Sequence, residues 1–307
     1  MNLERKPPQP PGASRRLGPG LGSVRDFKQL TKLSISSAST LTAAAGYLAA
    51  LRTFHGGLLT VLLGTLLLAM GSSTLNEVQE SHFDARMLRT LDRPLPAERL
   101  SRPAGLLIGL ALAAAGFVLL LELHGWTPAL LGVLALVWYN GVYTPLKRVT
   151  AFAIIPGALI GAIPPAIGWV AAGGSLAAPA LLALSLIFFL WQVPHFWMLM
   201  LLHDQDYGRA EFPTLSRHFR PDQSARLSFT WMAATSCSCA FLPCFGAVAS
   251  VPVMAMLALA SLWLVWKAVA LLRPGADGAL FRRTFWNINL FAVALILMVM
   301  LDPFLPV

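Results

Sequence analysis

Residues 57–93 read G-L-L-T-V-L-L-G-T-L-L-L-A-M-G-S-S-T-L-N-E-V-Q-E-S-H-F-D-A-R-M-L-R-T-L-D-R, an apolar run that passes directly into acids and arginines. The apolar part, 57–75, is long enough to cross roughly 30 Å of hydrocarbon as a helix. Asn76, Glu80 and Asp84 then recur every four residues. If the helix continues through them, their side chains share one face. The segment therefore predicts a membrane helix that ends in a polar stripe.

The polar stripe has two interpretations. Carboxylate and amide oxygens suit a hard cation such as Mg²⁺, which commonly shares its ligands with substrate phosphates. Arg86, Arg89 and Arg93 could bind the same phosphates directly. This interpretation predicts a diphosphate site at a membrane surface. In the other interpretation the charges only end a membrane helix among solvated headgroups, and spacing alone leaves both open.

Composition places the chain among integral membrane proteins. Of its 307 residues, 56% are hydrophobic and 12% charged, and the mean hydropathy is +0.66. This predicts an all-α polytopic bundle of nine transmembrane helices around a central cavity that opens to the cytoplasmic side. The predicted spans are 30–51, 57–75, 104–123, 126–143, 152–172, 178–201, 227–247, 251–271 and 286–305.

The net charge of +9 follows the membrane topology, so we expect no nucleic-acid partner. Lys and Arg collect in the N-terminal segment and in every second loop thereafter, namely 76–103, 144–151, 202–226 and 272–285. The positive-inside rule makes the N-terminus and these loops cytoplasmic and the C-terminus external. Residues 1–27, rich in Pro, Gly and Arg, are predicted to be a disordered basic tail. Residues 28–307 form the membrane domain.

Two further basic-side loops carry polar groups. Lys147 and Arg148, which follow Tyr139, Asn140 and Tyr143, could bind an anion or serve as ordinary topological anchors.

Past the sixth predicted helix, Asp204 and Asp206 offer a second pair of carboxylates, as a diphosphate with more than one magnesium ion would require. Their other interpretation is solvated loop acids paired with Arg209. His195 interrupts an apolar span and could ligate a metal porphyrin, accept a proton or only hydrogen-bond a carbonyl.

The composition of the fifth predicted helix, 152–172, predicts that it bends. Gly157, Gly161 and Gly168 permit close helix contact, and the prolines among them distort the helix. Such bends widen a bundle into a cavity. An apolar cavity with charges at its mouth suits a hydrocarbon substrate whose head is a diphosphate.

With these motifs the chain resembles the UbiA-type membrane prenyltransferase superfamily, and within it the protoheme IX farnesyltransferase branch. The resemblance covers nearly the whole chain beyond the tail. It rests on N-x-x-x-E-x-x-x-D-x-x-M-x-R-T-x-x-R-P-L-P at 76–96, Y-N-x-x-Y-T-P-L-K-R-x-T at 139–150, G-A-I-P-P-A-I-G-W at 161–169, W-Q-V-P-H-F at 191–196 and D-Y-x-x-A-x-x-P at 206–213.

The resemblance implies an enzyme of the bacterial inner membrane that transfers farnesyl from farnesyl diphosphate to a vinyl group of heme b, giving heme O for terminal oxidases. It implies Mg²⁺ as cofactor. Its other implied partners are membrane lipid and heme A synthase or oxidase assembly proteins. The implied metal ligands are Asn76, Glu80, Asp84, Asp204 and Asp206. The implied catalytic residues are Asn76, Glu80, Asp84, Asp206 and His195, and the substrate-binding residues are Arg89, Arg93, Tyr143, Lys147, Arg148 and Tyr207.

The chain departs from the family pattern at Glu80 and His82, where aspartate is usual. These changes leave two alternatives open. One is a prenyltransferase of the same superfamily with another aromatic acceptor, and the other is a heme-binding paralogue that has lost catalysis.

Overall fold

The computed structural model describes residues 23–306, which fold as helices joined by short turns, without a β-strand in that range. The helices used below are, in chain order, α1 (Val24–Leu30), α2 (Leu33–Leu51), α3 (Gly57–Asp84), α4 (Arg102–His124), α5 (Trp126–Leu146), α6 (Ala151–Ala171), α7 (Pro179–Leu202), α8 (Asp204–Arg209), α9 (Pro221–Cys244), α10 (Val251–Leu272) and α11 (Gly278–Phe304).

Eight helices within residues 23–306 are long and apolar enough to cross a membrane: α3 to α7 and α9 to α11. The all-α membrane bundle is therefore confirmed, and the protein is an integral membrane protein. The predicted count of nine spans is not confirmed. The first predicted span is a helix, α2, but it carries six serine and threonine side chains and is not among the eight. Most of its second half is buried by neighbouring helices.

The boundary predicted for the N-terminal tail is corrected by α1. Residues 1–22 lie outside the described part of the chain, but residues 24–27 are helical. Ser23 caps this helix by accepting from the Asp26 amide. Leu30, fully buried, packs with Leu95 and Leu100 and so holds α1 against the bundle.

The helix α3 continues past its apolar part to Asp84, as the polar stripe requires. The helix stops at Asp84, ten positions before Pro94, so the prolines after Arg93 do not end it. The Thr90 hydroxyl donates to the Asp84 carbonyl at 2.8 Å and satisfies a terminal acceptor that the ended helix leaves free. Turns then cover residues 85–100.

Close backbone contact joins α2 to α6. A Cβ on Gly46 would overlap the Pro165 carbonyl, and one on Gly168 would overlap the Ala43 carbonyl. The predicted role of Gly168 in close helix packing is thus confirmed. The helix α6 is also interrupted at Ala158, between two α-helical parts. Together with α2, α3, α5 and α7, this helix surrounds a central cavity.

On the face opposite the basic loops, one ion pair ties distant parts of the chain together. Asp302 at the end of α11 is fully buried and pairs with Arg52, which follows α2, at 3.0 Å. Its carboxylate also accepts from the amides of Ala249 and Ser250 and from the Ser250 hydroxyl. These contacts fix the ends of three helices on this face.

Candidate active site

The central cavity has a volume of about 250 Å³, and its charged lining residues all lie at one end, which we call its polar end. Its polar end lies where α3 finishes, on the face that carries the basic loops. Its apolar walls come from α3, α5, α6 and α7 and include Leu68, Leu136, Ile160, Ile167 and Phe196. The shape matches the sequence prediction of an apolar pocket with charges at its mouth.

The predicted stripe forms the floor of the polar end. Asn76, Glu80 and Asp84 all line the cavity from one face of α3, and each is at most 5% exposed. A plain helix end would leave these groups in solvent. Their burial instead requires compensation by partners, because an isolated buried carboxylate is strongly disfavoured.

Each member of the stripe has a cationic partner from another part of the chain. Lys32 donates to Asn76 Oδ1 at 2.6 Å, and Lys147 donates to Glu80 Oε2 at 2.6 Å. Arg93 donates to Asp84 Oδ2 at 2.7 Å, and its Nε lies 3.4 Å from Glu77 Oε1. The polar end of the cavity therefore holds acidic and basic side chains in direct contact.

Lys32 is a site residue that the sequence does not distinguish from the other basic residues near the N-terminus. It adopts the left-handed conformation, with φ of 45°, in the turn between α1 and α2. Its ammonium group reaches the cavity from there. Burial, followed by the charge of Arg93, lowers the pKa of Lys32 below the ordinary lysine value. The one available signal was a lysine placed immediately before a helix rich in hydroxyl groups.

A π-helical turn at Trp138–Tyr143 shapes the second polar motif. Tyr139 donates to Asn76 Oδ1 at 3.3 Å, and Asn140 donates to Ser72 on α3 at 2.8 Å. The extra residue of a π-turn rotates the following side chains, a distortion common at functional sites. Tyr143, in this turn, and Lys147, shortly after it, both line the cavity.

The acids of the third basic-side loop do not join the stripe. Asp204 accepts from Ser216 at 2.6 Å and borders a separate surface cavity. Asp206 pairs with Arg209 at 3.1 Å and accepts from the Leu88 amide, outside the cavity lining. The predicted five-residue ligand set is thus not gathered in this structure. Tyr207, from the same short helix, does line the cavity.

The remaining predicted residues divide between the cavity and its surroundings. Arg89 and Arg93 line the cavity. Arg148 instead donates to the Gln79 carbonyl at 3.0 Å and lies over the Phe83 ring. His82, where the family usually has aspartate, is exposed and contacts Arg86. The histidine at position 82 therefore does not change the residues that line the cavity.

His195 lies outside the cavity lining and faces α11. Its Nδ1 is 2.8 Å from Asn289 Oδ1. Because Asn289 donates its amide nitrogen to the Phe285 carbonyl, its oxygen is the acceptor and His195 carries its proton on Nδ1. Nε2 then bears the free lone pair.

A bundle of this kind, with an apolar cavity that ends in buried carboxylates and cations, defines a membrane enzyme for amphiphilic diphosphates. Residues 39–299 match the model described as the UbiA prenyltransferase family, and the chain belongs to that family. Among similar proteins, the protoheme IX farnesyltransferase of Geobacter sulfurreducens is 40% identical over 263 residues, which cover 84% of this chain and 93% of the relative. That of Nitratidesulfovibrio vulgaris is 37% identical over 231 residues, covering 72% and 80%.

Solved structures agree on the fold. A UbiA homolog from Archaeoglobus fulgidus bound to GPP and Mg²⁺ superposes with a TM-score of 0.66 at 13% identity, covering 89% of this chain and 99% of the other. An apo UbiA homolog from Aeropyrum pernix K1 gives a TM-score of 0.65 at 19% identity, covering 86% and 98%.

The residues at the polar end fit a magnesium ion. Glu80 lines the cavity, yet its buried Oε1 has no hydrogen-bond partner. No cluster of three or more His, Cys, Asp and Glu side chains able to hold a metal occurs within residues 23–306. Magnesium is usually held by one or two carboxylates together with substrate phosphates, so a sparse set of protein oxygens suits it.

Proposed function

We propose that this protein transfers a farnesyl group from farnesyl diphosphate to a vinyl group of heme b, and so makes heme O. The observation that carries the proposal is the cavity with buried acids and cations at one end and apolar walls beyond them. A diphosphate head and a hydrocarbon tail need these two environments. The names of the relatives support heme as the acceptor.

Asn76, Glu80 and Asp84 would hold magnesium, which when bound supplies positive charge to the diphosphate oxygens. Arg93 and Lys147 lie beside these residues and stabilise the negative charge that develops as the C1–O bond breaks. Arg89 at the mouth extends the same positive field. Tyr143 and Tyr207 line the cavity and help exclude water from the prenyl carbon.

The reaction balances without an oxidant. The bond electrons leave with diphosphate, and the terminal vinyl carbon of heme forms the new bond to farnesyl C1. Water then adds to the adjacent carbon and loses a proton, which leaves the hydroxyl group. His195 lies outside the cavity lining, but its ring packs against Phe196, which lines the cavity, and it is therefore our candidate for porphyrin contact or for this proton.

We further propose that the face with the basic loops is cytoplasmic in a bacterial inner membrane, on the positive-inside rule.

Purified protein supplied with heme b, farnesyl diphosphate and magnesium provides the direct test. Mass analysis of the porphyrin extract should show heme O, and Asp84→Asn should abolish it. Arg93 donates to Asp84, so this change removes a charge from the centre of the site. A prenylated phenol with unmodified heme, after a phenolic acceptor is added, would favour a different acceptor. Bound but unaltered heme would favour a non-catalytic paralogue.

A further inference from the structure

A second, strongly basic cavity opens beside the mouth of the central one. This vestibule has a volume of about 580 Å³ and lies between α1, the start of α2 and the turns after α3. Its lining contains Arg25, Lys28, Lys32, Arg89 and Arg93, and none of the described lining residues is acidic. Nothing in the proposed chemistry at the stripe uses Arg25 or Lys28.

The vestibule adjoins the central cavity. Lys32, Ile35, Arg89 and Arg93 line both of them. Ile35 is 65% exposed and offers apolar contact at the junction. A molecule with a charged edge and an apolar body could therefore lie across the two spaces.

The cations of the vestibule differ in their availability. Arg93 and Lys32 are directed towards Asp84 and Asn76. Arg25 pairs with Asp92 at the rim, where both side chains are more than 60% exposed and the pair contributes little. Lys28 and Arg89 have no ion-pair partner within residues 23–306. Two free cations thus remain at the opening.

The position of α1 is fixed by a dedicated set of contacts. Arg99 donates to Asp26 at 3.0 Å and to Asp92 at 3.1 Å, joining α1 to the turns after α3. Asp26 is 7% exposed, and Leu30 beneath it is fully buried. These contacts hold α1, and with it the wall of the vestibule, in a fixed position.

The absence of acids from the described lining decides which anion suits this site. A diphosphate bound through magnesium needs carboxylate ligands, which are present at the stripe only. A ligand whose anionic groups are carboxylates needs only cationic side chains to bind it. Heme b carries two propionates on one edge and two vinyl groups on the opposite edge, with a flat apolar ring between them.

We propose that the vestibule binds the two propionate carboxylates of heme, so that the vinyl edge points past Ile35 into the central cavity. This inference rests on the proposed function and assigns its acceptor subsite. Lys28 and Arg89 are the main propionate partners, with Arg25 as a third. The arrangement places the reactive edge towards the prenyl chain and the charged edge at the membrane surface.

The test compares heme with its dimethyl ester, which keeps the ring and both vinyl groups but lacks the two charges. The full chain is placed in phosphatidylcholine nanodiscs, and binding is followed by absorbance. Two exposed ion pairs should make the diacid bind about tenfold more tightly than the diester. Lys28→Glu should remove most of this preference and leave diester affinity unchanged.

Arg226→Glu is the matched control, because Arg226 is exposed near the start of α9, outside the vestibule, and its reversal should preserve the preference. Equal affinities of wild-type protein for diacid and diester would overturn the proposal. So would a Lys28→Glu change that weakens both ligands equally. If Lys28→Glu instead weakened only association with phosphatidylglycerol, the vestibule would be a lipid headgroup site and the proposal would again fail.

Failure of the proposed function gives a different pattern. If the acceptor is not heme, the protein would bind farnesyl diphosphate with magnesium in the same nanodiscs but take up neither form of heme, and the vestibule assignment would fail as well. If the protein binds heme without catalysis, it would keep the preference for the diacid but form no heme O. Retained farnesyl diphosphate binding in Lys28→Glu shows that the variant is folded.

Discussion

Lys147 Nζ donates a 2.6 Å hydrogen bond to Glu80 Oε2, and the two side chains are 20% and 7% exposed. A cation from the end of α5 thereby compensates a carboxylate buried on α3. Removing either partner leaves the other charge buried without compensation. The pair also lies where diphosphate and magnesium are proposed to bind.

Glu80→Gln should lower the rate of heme O formation by about 100-fold, a typical effect of removing one positioned electrostatic group. Glu80→Asp should retain a larger share, because it keeps the carboxylate that the family usually has at this position. The measurement is product formation at saturating substrates over a range of magnesium concentrations. Glu98→Gln, at an exposed turn position, is the control and should behave as wild type. Full activity of Glu80→Gln would remove this residue from the site.

Lys32 should give diphosphate binding an alkaline limit. Burial lowers its pKa, so the ammonium charge is present at low pH and is lost as pH rises through that lowered pKa. Neutral lysine attracts diphosphate less, so the affinity for farnesyl diphosphate should fall below the pH at which ordinary lysines titrate. In Lys32→Arg the charge persists, and this limit should disappear. Identical pH profiles for the two proteins would contradict the assignment.

Gly168→Ala should destabilise the bundle by about 1–3 kcal/mol, the usual cost of overpacking. The added Cβ meets the Ala43 carbonyl, a backbone group that cannot rotate away. Thermal unfolding in detergent measures the change. Gly278→Ala is the matched control, since no atom lies within 4 Å of a Cβ there. Equal midpoints for the two variants would show that α2 and α6 separate without cost.

Asp302→Ala should lower the free energy of unfolding by about 3–5 kcal/mol, because it leaves Arg52 and several hydrogen-bond donors without their acceptor. Arg52→Met should destabilise the Asp302→Ala variant less than it destabilises the wild-type protein, because the ion pair is already lost in that variant. Unfolding of both single variants and the double variant gives the coupling. Strict additivity would mean that the ion pair contributes nothing. Activity per folded molecule should remain near wild type, because the pair is on the face opposite the site.

The position of the polar stripe was predictable because it depends only on the spacing of residues within one helix. Asn76, Glu80 and Asp84 belong to one helix, so their spacing alone places them on one face. The motif of Lys147 alone left open an anion ligand or a topological anchor, and only the resemblance favoured the former. The helix boundaries were within a few residues, except where α9 and α11 begin six and eight residues before the predicted 227 and 286.

Lys32 and Asp204 were not predictable, for a shared physical reason. Both lie where a helix ends, and the direction of such a side chain depends on the turn conformation and on tertiary neighbours. The left-handed turn at Lys32 directs an apparent topological cation into the cavity. Ser216 instead holds Asp204 beside another opening. Neither outcome is encoded in residue spacing.

The pairing of Arg52 with Asp302 also bears on biogenesis. Arg52 reaches the far side of the bilayer with the first helices to be inserted, whereas its counter-charge arrives only after α11 has been synthesised. During that interval the nascent protein carries a solitary guanidinium that lipid headgroups or an insertion factor must accommodate. The ion pair that holds the far end of the bundle together therefore forms only once α11 is in place.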